Sequence, residues 1–245
     1  MRLVSAAFLS AALLLTAARV VHAEAPTPEQ RQEMVRVMRE ALVQDPSILR
    51  DALIALQKDD ARRQEKVTRD VLAMMGPHLS NPADPVAGNP LGDVTVIEFY
   101  DTRCPYCRKM PPIIAELLGT DNRIKFVMKD MPILGPASQL ESQALLAVQR
   151  QGGYFKLQDA IMQSTAPSTR DSLKDLANRL GLDGNAMLRD LDDPVIKARL
   201  KANIDMAAQL GIEGTPAFII GDRMIGGAAE LPELRQAVAD ARAPH

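Results

Sequence analysis

The sequence predicts an α/β domain in which a β-strand feeds a reactive cysteine turn and a helix, preceded by a separate helical region. Three observations carry this. The run Val94-Thr95-Val96-Ile97-Glu98-Phe99-Tyr100 is β-rich and stops just before Cys104-Pro105-Tyr106-Cys107, after which the composition turns helical. These two cysteines, three positions apart, are the only ones in 245 residues. A stretch rich in proline and glycine separates this region from a charged, helix-patterned segment upstream.

Taken in order, the chain begins with Met1-Arg2, runs apolar from Val4 to Ala18 and reaches the small-x-small pattern Val21-His22-Ala23, which predicts a cleaved signal peptide over residues 1–23. An uncleaved anchor is the alternative, but Arg19 leaves the apolar stretch shorter than the roughly 20 residues a spanning helix needs. Cleavage implies a compartment outside the cytoplasm, where disulfides form and persist. It removes Arg2 and Arg19 and no acid, moving the net charge from −2 to −4. Nucleic acid is therefore excluded as a partner, since it requires a basic surface.

From Pro28 to about Gly76 the pattern is helical. A first segment, Glu29 to Val43, is followed by a second that opens at Asp45-Pro46, where Asp suits a cap and Pro the first helical position. Leu49, Leu53 and Leu56 form a seam that Asp60 and Arg63 interrupt and Val67, Val71 and Met74 resume. So narrow an apolar face needs a partner, either its own domain or copies of itself. Residues 77–90, with Pro77, Pro82, Pro85, Gly88 and Pro90, are expected to form a linker.

Beyond the first strand, a second is expected at Ile124 to Lys129 and a hairpin at Ala217 to Ile220 and Arg223 to Ile225 across Gly221-Asp222. A final helix is expected near Leu231 to Arg242. Ala137 to Leu210 is helical in pattern, divided at Ser138, Gly152-Gly153, Thr169, Gly181 and Pro194 into four or five helices.

The chemistry lies in the cysteine pair. A Cys-x-x-Cys turn at a helix start places its first sulfur over unpaired N–H groups and the positive end of the dipole, which favours thiolate and marks Cys104 as nucleophile. Cys107, one turn on, can attack a mixed disulfide on Cys104 and release the reduced substrate. Arg103, Arg108 and Lys109 add positive charge, although such side chains are commonly just solvated. Two other readings compete: a structural disulfide, and half of a zinc site. The three histidines are His22, His78 and His245, in the leader, the linker and the terminus, which leaves a four-ligand zinc site within one chain without donors.

Val96 through Cys107 resembles the active-site strand and turn of the DsbA-like thioredoxin family, and Gly214-Thr215-Pro216-Ala217-Phe218 resembles that family's cis-proline loop. The likeness covers roughly residues 91–245 and implies a thioredoxin fold with a helical insertion at about 135–210. It further implies that Pro216 is cis, that Thr215 offers its backbone to an extended substrate strand, and that Pro105 and Tyr106 form the active-site turn. Glu98 stands six residues before Cys104, where related proteins carry a buried acidic group. Among apolar neighbours its pKa should rise, and it could accept the Cys107 proton directly or through water. The competing reading puts it on the solvent face of an alternating strand. Tyr106 departs from the histidine of the strongly oxidising members, which implies a less oxidising couple.

The helices over 24–76 are similar to those of the suppressor-of-copper-sensitivity C proteins, periplasmic disulfide isomerases or reductases, some of which assemble through that segment. The expected division is thus signal peptide 1–23, oligomerisation helices 24–76, linker 77–90 and catalytic domain 91–245. Periplasmic location, a homo-oligomer such as a trimer, a membrane-embedded thiol reductase as electron donor and unfolded or misoxidised exported clients are all implied by the resemblance. An oxidase is one alternative. A copper-tolerance protein binding Cu(I) through Cys104 and Cys107 is another, since twelve methionines and two thiolates are soft donors; Met34, Met38, Met74 and Met75, however, fall on helical seams, where core packing is the default.

Overall fold

The computed structural model describes residues 25–243, so the expected signal peptide lies outside the described residues. The described chain divides into two compact units between Lys58 and Asp59, inside the second helix.

In the first unit, helix α1 (Pro28–Gln44) opens with a capping box in which Thr27 and Gln30 satisfy each other's backbone, with Pro28 in the first turn. It ends at Asp45, whose carboxylate accepts the Ser47 N–H at 3.0 Å and so starts α2 (Ser47–Met75). No residue of α1 is buried, and Met34, Met38, Leu42, Leu49, Leu53 and Leu56 are all exposed. In the second unit the expected seam holds at Val71, which packs with Met75 against a core that buries Leu72, whereas Val67 and Met74 are exposed.

The second unit is built on a five-stranded sheet of order β1-β3-β2-β4-β5, comprising β1 (Val86–Gly88), β2 (Val94–Tyr100), β3 (Ile124–Asp130), β4 (Ala217–Ile220) and β5 (Arg223–Gly226). β2 runs parallel to β3 and antiparallel to β4, with Glu98 opposite Met128 on one side and Phe218 on the other. Being central, β2 is covered on both faces, which is why it reads as a near-continuous apolar run. Its residues Val94, Val96 and Tyr100 join the larger core, while Ile97 and Phe99 join a second core with Leu72, Leu79, Ala207 and Leu210.

Helix α3 (Met110–Thr120) follows the cysteine turn, and α9 (Leu231–Arg242) closes the chain beside it. Five helices separate β3 from β4: α4 (Pro136–Gln149), α5 (Tyr154–Gln163), α6 (Arg170–Arg179), α7 (Gly184–Asp190) and α8 (Pro194–Gln209). Thr169 caps α6 and Pro194 opens α8 as their residue types predict. Ser138 does not mark a helix start; α4 begins at Pro136, and Ser138 is turned inward.

The segment 77–90 is not a linker. Val86 to Gly88 pair antiparallel with Val127 to Lys125 as the sheet's edge strand, a position that tolerates flanking prolines because only one side of the strand needs donors. Gly88 has φ +70°, and a Cβ there would lie 2.6 Å from the Ile124 carbonyl oxygen, so a larger residue would not fit. Just upstream, the Ala83 carbonyl accepts from Gln149 and Arg199, both at 2.7 Å. Asp84 forms a 2.7 Å ion pair with Lys129, both side chains being at most 5% exposed.

That pair predicts an asymmetric mutational response. Replacing Asp84 with Asn strands a buried ammonium and should cost about 3 kcal/mol of unfolding free energy, measured by urea denaturation. An unchanged midpoint would mean that the pair is hydrated in solution.

Candidate active site

The reactive turn is fixed before its chemistry begins. β2 ends at Tyr100, and the next residue, Asp101, is fully buried. One carboxylate oxygen of Asp101 accepts the Arg103 N–H at 2.7 Å. The other accepts the N–H groups of Ile133 and Leu134 at 2.8 and 3.0 Å and the Ser138 hydroxyl at 2.5 Å. The Asp101 carbonyl receives the Cys104 N–H at 3.1 Å, so one residue ties the turn to the loop after β3 and to α4.

A second buried carboxylate repeats the device. Glu141 of α4 accepts the hydroxyls of Thr102 at 2.6 Å and Ser168 at 2.7 Å, and lies 3.6 Å from the Arg103 guanidinium. Arg103 donates to the carbonyls of Thr165 and Ala166, and Arg108 to those of Thr102 and Ser164. The two arginines that sequence reading treated as local positive charge thus clamp the loop after α5 against the turn. Lys109 instead lies over the exposed Tyr106 ring, 5.3 Å from its centroid.

Cys104 and Cys107 are free thiols, 5% and 1% exposed, while Pro105 and Tyr106 project to solvent. The helix expected straight after the motif begins as a 3₁₀ turn over Cys107–Lys109 and becomes α-helical only at Met110. Pro111 and Pro112 explain this: neither has the N–H that an α-helical ladder would direct back to residues 107 and 108. The Thr215–Pro216 peptide is cis, and the Thr215 carbonyl accepts the Cys104 thiol at 3.1 Å. Residues 111 positions apart therefore meet at the reactive sulfur.

Glu98 is 2% exposed and belongs to the buried face of β2, not to solvent. Burial pushes its carboxyl up to about 8, and negative charge on Cys104 adds to the rise. Burial also pushes the Cys107 thiol well above the ordinary thiol range, with Glu98 and Cys104 charge contributing against the opposing hydrogen bonds from the Asp101 backbone and Thr215. The two sulfurs are therefore unequal: one sits at the cis-proline loop, and the other is a protonated thiol in the interior beside an acid.

Residues 95–239 match the family described as a DSBA-like thioredoxin domain. The chain belongs to that family. A thioredoxin-like oxidoreductase from Silicibacter pomeroyi superposes on it with a TM-score of 0.65 at 35% identity, over 68% of this chain and 96% of the other. Proteus mirabilis ScsC in a transitional conformation gives 0.64 at 27% identity, over 88% of this chain and 98% of that one. The DsbA-like chain also shares 29% identity over 183 residues with the Na(+)/H(+) antiporter NhaA 1 of Salinispora arenicola, covering 74% of this chain but only 28% of the antiporter's length.

Within this DsbA-like domain, Cys104, Cys107, Thr215, Pro216 and Glu98 gather at one end of the sheet. Sequence reading missed Asp101, Ser138 and Glu141. A signal for the last two existed: Ser138, Glu141 and Leu145 share one helical face, and that face is buried. No group of three or more His, Cys, Asp or Glu side chains converges among the described residues.

The Glu98 environment predicts a pH signature in the reduced protein. The unfolded chain ionises this carboxyl near 4.5 and the native state near 8, so its contribution to stability is complete below 4.5 and is lost as pH rises through 8. Glu98→Gln removes that dependence, and the difference in unfolding free energy between variant and wild type should grow by roughly 1.4 kcal/mol per pH unit over this window. A difference that stays flat from pH 5 to 8 would show that the native carboxyl ionises normally.

Proposed function

We propose that this chain is a periplasmic thiol-disulfide oxidoreductase that reduces or isomerises disulfides in exported proteins, more than it introduces them. The observation that carries the reading is the 3.1 Å contact between the Cys104 sulfur and the Thr215 carbonyl, which puts the nucleophile beside a loop able to dock an extended client strand. Cys104 thiolate attacks a client disulfide, forming a mixed disulfide and releasing one client thiolate. Cys107 then loses its proton to Glu98 and attacks Cys104, forming the internal disulfide and expelling the second client sulfur.

The electrostatics time the second step. Negative charge on Cys104 contributes to the raised Glu98 pKa, and the mixed disulfide abolishes that charge. Glu98 becomes a weaker acceptor in absolute terms but a more populated carboxylate at the moment Cys107 must ionise.

The reductase or isomerase direction is supported by Tyr106, which supplies no cation beside Cys104, and by the likeness to ScsC along most of the chain. A membrane-embedded thiol reductase would keep the pair reduced. The exposed apolar side chains of residues 34–56 support self-association into a homo-oligomer such as a trimer, where several active sites act on one scrambled client.

The test is recovery of scrambled ribonuclease activity, with molar mass by light scattering. Cys104→Ser should abolish recovery, and Cys107→Ser should accumulate mixed disulfides visible on non-reducing gels. Because Leu72 is part of a core, the informative truncation stops at residue 58. Loss of recovery in a folded, monomeric truncation would establish assembly as the source of isomerase activity; full recovery by that monomer, or by Cys104→Ser, would refute the corresponding step.

A further inference from the structure

Between the sheet, α3 and α5 lies a cavity of about 250 Å³, on the inner side of the cysteine turn. Its wall is mostly apolar, formed by Met110, Ile114, Leu118, Phe126, Met128 and Phe155 among others. Four polar groups interrupt that wall. Glu98 and Cys107 line it from the active-site strand and turn, and Gln158 and Asp159 line it from α5. Glu98, Cys107 and Asp159 are its titratable lining groups.

Two of the polar side chains are unusual for a protein interior. Glu98 is 2% exposed and Gln158 6% exposed, yet neither contributes to the fully enclosed, unpartnered side-chain atoms among the described residues, which are Arg108 Nη2 and Ser142 Oγ. Their polar atoms are thus left open to the cavity, where ordered water ordinarily satisfies such groups. The space suffices, because a water occupies about 30 Å³ of liquid volume and the cavity offers it the required polar contacts. Asp159 is exposed to bulk solvent while also lining the cavity. The polar groups thus run from the protein surface to the resolving cysteine through an otherwise apolar chamber.

We propose that Gln158 and Asp159 form the solvent end of a water-borne proton route through which Glu98 exchanges the Cys107 proton with bulk. This deepens the role given to Glu98 above and rests on it. Gln158 is a positioning residue: its amide donates to and accepts from water, orienting the chain without itself ionising. Asp159 is the surface acceptor, and partial burial already raises its proton affinity.

The step balances within the proposed reaction. The Cys107 proton passes to Glu98, the resulting thiolate bonds to the Cys104 sulfur, and the bond from Cys104 to the client breaks. The cysteine pair loses two electrons and the client disulfide gains them. Glu98 then passes its proton along the water past Gln158 to Asp159 and solvent, and the client thiolate takes one from solvent. Reduction of the pair runs the same path in reverse.

The experiment follows the resolving step in single turnover on the full chain, from a preformed mixed disulfide with a model peptide, across pH 6–8. Gln158→Leu should slow resolution roughly tenfold, and Asp159→Asn about threefold, a part of what general acid–base transfer contributes. Imidazole buffer should restore the Asp159→Asn rate and leave wild type unchanged. Gln158→Leu combined with Glu98→Gln should be no slower than Glu98→Gln alone, and iodoacetamide should alkylate Cys104 at the wild-type rate in Gln158→Leu. Wild-type resolution in Gln158→Leu and Asp159→Asn, with Glu98→Gln slow, would overturn this route while sparing the role of Glu98. Wild-type resolution in Glu98→Gln would remove both. Asp159 is exposed, so its variant tests the route even if the substitution at Gln158 prevents folding.

Discussion

A buried carboxylate that accepts four hydrogen bonds holds this active site together. Asp101 is inaccessible to water, yet its two oxygens are saturated by three backbone N–H groups and the Ser138 hydroxyl. Removing a carboxylate from water is costly unless such donors replace its hydration, and here the donors belong to segments that must meet for catalysis. The strand end, the turn, the loop after β3 and the first turn of α4 are thereby fixed to one another. Glu141 does the same one residue further along, through Thr102 and Ser168. The cysteine turn is consequently a rigid ledge, and α3 begins as a 3₁₀ turn on it because two prolines withhold the usual donors.

That rigidity lets small differences in environment divide the labour between two identical side chains. Cys104 lies at the Thr215 carbonyl of the cis-proline loop. Cys107, three residues on, faces the interior, where burial holds its proton and the Glu98 charge adds to that hold. The central strand β2 is what makes this possible. It is covered on both faces, so an acid placed on it has no bulk water, and its proton affinity rises accordingly. A chamber lined by Gln158 and Asp159 then supplies the connection to solvent that such an acid needs if it is to turn over.

The N-terminal unit follows a different logic. Its helices are well capped and carry apolar side chains that remain exposed, so local signals specify the helices while nothing within residues 25–58 supplies a core. The catalytic unit begins at residue 59, and the proline-rich segment after α2 is drawn into it as an edge strand, anchored by the Asp84–Lys129 pair. Proline content misled the reading at this point, because an edge strand and a linker have the same composition; only the partner strand distinguishes them.

Local chemistry alone determined much of this protein. The β-rich run before Cys104, the cap at Thr169, the prolines at helix starts and the turn at Gly221-Asp222 each act over a few residues, so strands, helices and the reactive pair could be read directly. The paired motifs at residues 96–107 and 214–218 also marked Glu98, Thr215 and Pro216 by resemblance. What tertiary structure decided is which distant side chains share a buried space: Asp101 with Ser138, Thr102 with Glu141, the Cys104 sulfur with the Thr215 carbonyl, and Glu98 with Gln158. These depend on strand order and on the packing of the helical insertion, and hydrogen bonds and desolvation act through space, so no periodicity along the chain records them.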